Sequence, residues 1–420
     1  MANTTIESVS ALEIVDCRLE PTLRVTVRTE GGAIGTADVP CGRSTGVHEV
    51  VERRDGGDRF DGRGVTDAVG IVGDEVAPAL VGEDATAQRA VDRTLVELDG
   101  TDDRSRLGGN TTTGVSLATA AAAADAVGLP LYRYLGRTDV GSLPMPLFDM
   151  IEGGELAESG LAFQEHQLIP VGADSFSEAL RMSAETYSAL ADLLENDHDA
   201  RSRNVGVEGG YTPPLTDPRD AFDAELKAAE EAGYGGEFAL GIDAAASHFY
   251  DGESDTYAVL DDPFDRGELI EFYADLVDAY PLVSIEDPLE ENDFEGTADL
   301  TAAVDAQIVG DDLFTTNADR LRTGVERGAA NALLLKVNQV GTLTEALEAA
   351  DLARRSGYDI QVSERSGQTP DTWLAELTVG LAATQIKTGV TRGERTEQYN
   401  RLLEIERELG SDAALAEPSW

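Results

Sequence analysis

Two lysines and three carboxylates are the residues of this chain best placed to do chemistry. The sequence holds three lysines in all, Lys227, Lys336 and Lys387. Lys336 and Lys387 each end an apolar run, Asn331-Ala-Leu-Leu-Leu-Lys336 and Ala382-Ala-Thr-Gln-Ile-Lys387. Burial makes an ammonium expensive, and it also shifts a lysine pKa far enough for the side chain to serve as a base. Asp243, Glu286 and Asp311 end similar runs, Phe238-Ala-Leu-Gly-Ile-Asp243, Leu282-Val-Ser-Ile-Glu286 and Gln307-Ile-Val-Gly-Asp311. Singly, each acid reads as the N-cap of a following helix or as a loop acid. Together, three carboxylates around one mouth repel one another unless a cation sits between them. Oxygen ligands, with no histidine or cysteine in these runs, suit Mg²⁺ better than zinc. A lysine beside a divalent cation and a second ammonium is expected to have its pKa pushed down, so that it could take a proton from carbon. The alternative is a structural salt bridge to the acidic ring.

Three further stretches supply polar groups. Arg365-Ser366 offers a bidentate donor and a hydroxyl, suited to phosphate or carboxylate. Glu208 sits in the Gly-rich turn Asn204-Val-Gly-Val-Glu-Gly-Gly210, where a catalytic acid could be presented. Gln164-Glu165 is a polar pair inside an apolar strand, where burial demands a partner or a function.

The elements that must position these groups follow from hydrophobic periodicity. From Glu286 onward the charged run ends, at 286, 311, 336, 365 and 387, are spaced by one strand plus one helix. The longer gap from Asp243 to Glu286 must hold an insertion, placed in the acidic stretch 250–265. Continuous apolar runs suit strands covered on both faces. Charge at the C-terminal end of successive βα units describes a closed barrel with its site at the top; an open doubly wound sheet is the competitor. Ahead of this region, residues 6–40 read as strands, because Leu23-Arg-Val-Thr-Val-Arg28 alternates at period two. Residues 64–98 and 111–127 read as helices, the second stopping at Gly128-Leu-Pro130. A boundary followed by a new strand falls at 143–150, and Ser175-x-x-Glu178 predicts a capping box opening a helix to about residue 195.

Composition bounds the partners. The formal net charge is −48, spread along the chain and not gathered in a tail. Such self-repulsion destabilises a compact state at ordinary ionic strength, and salt screens it, so the surface is that expected in a salt-rich cytoplasm. With 41% hydrophobic residues the chain can build a core. Nucleic acid and anionic membrane are poor partners for it. Cys17 and Cys41 make no disulfide framework and no metal-ligand spacing. The N-terminus lacks signal-peptide character and no stretch is apolar enough to span a membrane, so a soluble cytoplasmic protein is expected.

Several stretches spell a family. Ser44-Thr-Gly-Val-His-Glu49, Ser284-Ile-Glu-Asp-Pro288, Gly310-Asp-Asp-Leu-Phe314, Leu335-Lys-Val-Asn-Gln-Val-Gly-Thr342 and Gln385-Ile-Lys-Thr-Gly389 stand in family order. Through them the chain resembles enolase, phosphopyruvate hydratase, along nearly its whole length. The resemblance implies an α/β fold: an N-terminal α+β capping domain (1–138) on an atypical (β/α)8-type barrel (139–420), commonly a homodimer or a larger homo-oligomer. It implies Mg²⁺-dependent dehydration of 2-phosphoglycerate to phosphoenolpyruvate, with Lys336 as the base that takes the C2 proton. Glu208 then resembles the acid at the C3 hydroxyl, with Glu165 assisting. Asp243, Glu286 and Asp311 resemble the Mg²⁺ ligands, and Ser44 the loop residue that reaches a second Mg²⁺. Arg365 and Ser366 resemble the phosphate site, with Lys387 and Gln164 as further substrate contacts. The match departs from the family pattern at two histidines, where Leu156 and Glu364 stand instead, and at Glu152, Val207 and His248. These departures keep open a paralogue acting on another phosphorylated or dicarboxylic hydroxy acid, and a binding protein without catalysis.

Overall fold

The computed structural model describes residues 3–43, 45–136, 141–157, 159–260 and 262–420. At the N-terminus β1 (Ile6–Val15), β2 (Pro21–Thr29) and β3 (Ile34–Asp38) form an antiparallel meander. The alternation of β2 buries Leu23, Val25 and Val27 on one face. The sheet lies on the helix Gly109–Val127, and Gly35 makes that approach possible: a Cβ there would fall 2.1 Å from the Ala118 carbonyl oxygen. The helix stops at Gly128, whose φ of 71° is the left-handed cap that the sequence predicts. The helix expected over 64–98 is instead two helical stretches, 66–80 and Gln88–Asp99. They part at Gly82, where φ is 95°, a conformation an α-helix cannot contain.

The rest of the chain builds a closed eight-stranded barrel with helices outside. Its strands are β4 (Met145–Glu152), β5 (Glu165–Ile169), β6 (Ala239–Asp243), β7 (Leu282–Glu286), β8 (Gln307–Gly310), β9 (Ala332–Leu335), β10 (Asp359–Ser363) and β11 (Gln385–Lys387). Closure, not an open sheet, is thus the outcome. One strand breaks the simple βα pattern: β5 runs antiparallel to both β4 and β6. The reason is the link between β4 and β5. A parallel return needs a crossover helix, and the described residues of 153–164 contain only the short turn Gly154–Leu156. The chain therefore folds straight back.

The gap between β6 and β7 holds a small hairpin (Tyr250–Asp251 with Thr256–Tyr257) and the helix Arg266–Ala279. Asp265, Asp293, Asn317 and Thr342 cap the helices that follow. The strand-end acids Asp243, Glu286 and Asp311 are not those caps. Ser175 caps the helix Phe176–Asp197, accepting the backbone N–H of Glu178. Below the mouth the barrel is filled, not hollow: the amides of Gln307 and Gln385 exchange two 2.9 Å hydrogen bonds, and Met145, Leu147, Ile169 and Ala239 form an apolar cluster. The N-terminal unit seats on the barrel through Arg104–Glu345 (2.7 Å) and through the Cys41 and Gly367 backbones.

Candidate active site

The charged strand ends Asp243, Asp311, Lys336 and Lys387, with Arg365 after its strand, open into one cavity, and Glu286 is buried against Lys387. Gln164, Glu165, Glu208, Asp243, Asp311, Lys336, Arg365, Ser366 and Lys387 line it, together with Leu156 and Glu364. Glu165 begins its strand where the others end theirs. The reversal of β5 brings it to the same mouth, paired in register with Glu152 on one side and Asp243 on the other.

Lys387 is the centre of an ionic cluster. Its Nζ lies 2.6 Å from Glu286, 3.1 Å from Asp243 and 3.1 Å from Glu165, and the side chain is 3% exposed. Gln164 donates to the same Asp243 oxygen at 3.1 Å, and Gln167 donates to Glu165 at 2.8 Å. Lys336 pairs with Asp311 at 2.5 Å. The other Asp311 oxygen accepts from Gln339, which is itself oriented by Thr316.

On the opposite wall Arg365 reaches Glu49 with two hydrogen bonds of 2.8 and 3.0 Å and Asn338 with one of 3.2 Å. The Ser366 hydroxyl accepts from the Arg43 backbone N–H at 2.7 Å and from Arg18 at 3.3 Å. Glu208 is held by its backbone: Glu152 accepts the N–H groups of Glu208 and Gly210 at 3.0 and 2.6 Å. Glu364 is buried against Arg395 of the last helix, and Thr388 donates to the same carboxylate at 3.2 Å. Ser44 lies outside the described residues.

Charge balance sets the protonation. Burial pushes Glu286 well above the usual carboxylate range, and neighbouring Asp243 adds to this. Burial likewise raises Glu165 to about 7 against the pull of Lys387. Burial would raise Asp311 too, but Lys336 and Lys387 outweigh it and hold its carboxyl low. Burial opposes the Lys336 charge, yet Asp311 outweighs that and raises the ammonium above its ordinary value. That balance belongs to the groups the chain itself supplies, where Lys336 faces a carboxylate at contact distance; the depressed lysine was expected beside a bound divalent cation.

Sequence reasoning did not pick out Glu49, Gln339, Asp287 or Asp312. Asp287 is held at φ 41° and its carboxylate accepts the backbone N–H groups of Asp311 and Asp312 at 2.9 and 2.7 Å. The acidic doublets Glu286-Asp287 and Asp311-Asp312 were the available signal.

The chain matches the family description "Enolase, N-terminal domain" over residues 6–135 and "Enolase, C-terminal TIM barrel domain" over 140–419. It is 54% identical over 413 residues to an enolase of Methanopyrus kandleri, with 97% of each chain covered. It is 50% identical over 409 residues to an enolase of Thermococcus kodakarensis, covering 96% of this chain and 95% of that one. An enolase of Methanocaldococcus jannaschii is 50% identical over 406 residues, 96% of each. This chain belongs to the enolase family.

Membership in the enolase family implies a divalent metal, and the donor set fits one. Asp243, Glu286 and Asp311 are buried oxygen donors, and Glu286 Oε1 has no hydrogen-bond partner among the described residues. Among the described residues, carboxylate oxygens come within 4.8 Å of one another in two groups, Asp287–Asp311–Asp312 and Asp149–Glu165–Glu208. Asp311 belongs to the first, while Asp243 and Glu286 are bridged by Lys387. No helix among the described residues is long and apolar enough to cross a membrane.

Proposed function

We propose that this enolase-family chain interconverts 2-phosphoglycerate with phosphoenolpyruvate and water, as a hydro-lyase, using the residues that line its barrel mouth. The carrying observation is the convergence of Lys336, Lys387, Glu165, Glu208 and Arg365 on one cavity. Arg365 and Ser366 suit the phosphate, since a guanidinium and a hydroxyl bind its oxygens together. Lys387 and Gln164 suit the substrate carboxylate. Lys336 takes the C2 proton, and Glu208, with Glu165 beside it, gives a proton to the departing C3 oxygen.

To act as a base Lys336 must first shed its ammonium proton. Asp311 is what holds that proton, so engaging the Asp311 carboxylate elsewhere lowers the cost. Asp243, Glu286 and Asp311 would hold Mg²⁺, with Ser44 at a second ion; bound there, the metal supplies positive charge where the substrate carboxylate gains negative charge.

The test is turnover of 2-phosphoglycerate in molar KCl with Mg²⁺, read by the ultraviolet absorbance of the enol phosphate. Activity in the native chain, lost in Lys336→Ala, is expected; silence of both overturns the reading. One observation favours a second reading, a sibling lyase for another phosphorylated or dicarboxylic hydroxy acid: Leu156 and Glu364 face the cavity where the family pattern carries histidines. Exchange of an α-proton on such an acid, lost with EDTA, would support it. We further infer a two-domain division at about residue 138, a homodimeric or larger assembly, and a salt-rich cytoplasm as the working environment.

A further inference from the structure

We propose that Glu208 and Glu364 form a carboxyl pair that shares a single proton, with Glu364 acting through Glu208 as a positioning residue at the leaving-group end of the cavity. The chemistry rests on the reading above, but the pair itself stands on geometry.

The two side chains are neighbours at hydrogen-bonding range, and both border Gly389. A Cβ on Gly389 would lie 3.0 Å from Glu364 Oε1 and 3.1 Å from Glu208 Cβ, and the φ of Gly389 is 62°. Glu364 Oε1 and Glu208 Oε2 are both buried, and neither finds a hydrogen-bond donor among the described residues. Two buried acceptor oxygens side by side are costly. One proton between them satisfies both at once.

The charges agree. Arg395, fully buried, is the cation in contact with Glu364; it also donates to the carbonyls of Arg365 (3.0 Å), Ser366 (3.1 Å) and Val207 (3.5 Å) and lies 3.7 Å from the Glu394 carboxylate. One guanidinium already faces Glu364 and Glu394 and cannot also balance Glu208. The remaining groups around the pair deepen the deficit. Glu152 and Asp149 face it from β4 and Glu165 from β5, with Glu394 beside Arg395 and Cys17 nearby. Lys387 is already bound to three carboxylates. Burial, with Glu208 adjacent, raises Glu364 well above the usual range even against Arg395.

In the dehydration direction the C3–O bond breaks with its electron pair on oxygen. That oxygen takes the proton of the pair and leaves as water, and the pair is left as two carboxylates. Lys336 has gained the C2 proton, and returning one proton from Lys336 to the pair through solvent restores the start.

Infrared difference titration of the protein alone tests the pair. The native chain is expected to show a carboxylic C=O band that both Glu364→Gln and Glu208→Gln remove. Glu208→Gln leaves the Arg395–Glu364 contact in place, so this variant does not depend on folding around an unpaired arginine. Bands that survive in both variants belong to other buried acids; no loss in either variant overturns the proposal.

In turnover, Glu364→Gln is expected to move the alkaline limb of the kcat profile to lower pH by about one unit, a roughly tenfold loss above that limb. A uniform fall at every pH, with the limb unmoved, would assign Glu364 a structural role only. Failure of the native chain to turn over 2-phosphoglycerate would remove the assigned reaction and leave the infrared result to decide the pair.

Discussion

Replacing Lys387 by Met tests whether the acidic ring depends on this ammonium. The side chains are similar in length, so the packing loss is small. The charge loss is not. Lys387 stands 2.6 to 3.1 Å from Glu286, Asp243 and Glu165, all nearly fully buried. Removing one partner from a buried ionic cluster costs about 3–5 kcal/mol, because the partner charges stay buried and uncompensated. The cost depends on pH. Glu165 has a folded pKa of about 7, above its ordinary 4.5, even with Lys387 beside it. For an acid raised in this way the unfolded chain releases its proton first, so stability falls as pH climbs from the unfolded value through the folded one. Without Lys387 the folded value climbs further. The penalty should therefore be small near about pH 5, where the carboxyls can be neutral, and full near about pH 8. Urea unfolding in molar KCl with EDTA measures it. Added Mg²⁺ should recover more stability in the variant than in the native chain, since the freed carboxylates are better ligands. A variant within about 0.5 kcal/mol of the native chain at both pH values would refute the reasoning, because that is the scatter of an indifferent substitution.

Two more outcomes concern the same site and a third the surface charge. Lys336→Arg keeps a cation against Asp311 but cannot release its proton, so kcat should fall by about 10²–10⁴-fold while the unfolding midpoint moves little; retained turnover would strip Lys336 of the role of base. Chelation with EDTA should abolish turnover and Mg²⁺ should restore it, with activity in the chelated protein as the contrary result. Raising KCl from about 0.1 M to about 1 M shortens the screening length from roughly 10 to 3 Å, so the −48 charge should make the thermal midpoint climb; a flat midpoint would show that self-repulsion is not limiting.

The residues at the barrel mouth were legible because burial and charge conflict there in plain sight. An apolar run that ends in Asp, Glu or Lys announces a strand end with something to hold. Gln164-Glu165 was visible for the same reason, a polar pair where the local pattern asks for apolar residues. The direction of β5 was not visible, because period-two alternation is the same read either way; only the missing crossover in 153–164 decides it. Charge partners were harder still. Glu49 meets Arg365 across 316 residues of chain, and its local sequence reads as a loop acid. Arg395 sits in a helix rich in charge, where a solvated surface is the natural reading, yet it is fully buried against Glu364. Those pairings belong to the closed barrel and not to any segment of it.

The use of lysine separates the functions of these cations. Of 32 basic residues three are lysines, and elsewhere arginine makes the ion pairs, buried ones included, as in Arg365–Glu49 and Arg395–Glu364. Arginine is the better pairing group: its fork fits a carboxylate and its charge is permanent. Had Asp311 needed only a counter-ion, the chain's usual choice would have met the need. A permanent charge is a defect only where the proton has to leave, and a broad fork is a defect only where one point charge must be reached by several carboxylates at once. Lys336 faces the first demand if it is the base. Lys387, with three carboxylates around one nitrogen, faces the second. On the proposed roles the two lysines meet different physical demands. Arginine at 336 would keep a counter-ion and lose the chemistry, whereas arginine at 387 would crowd a cluster built around a single atom.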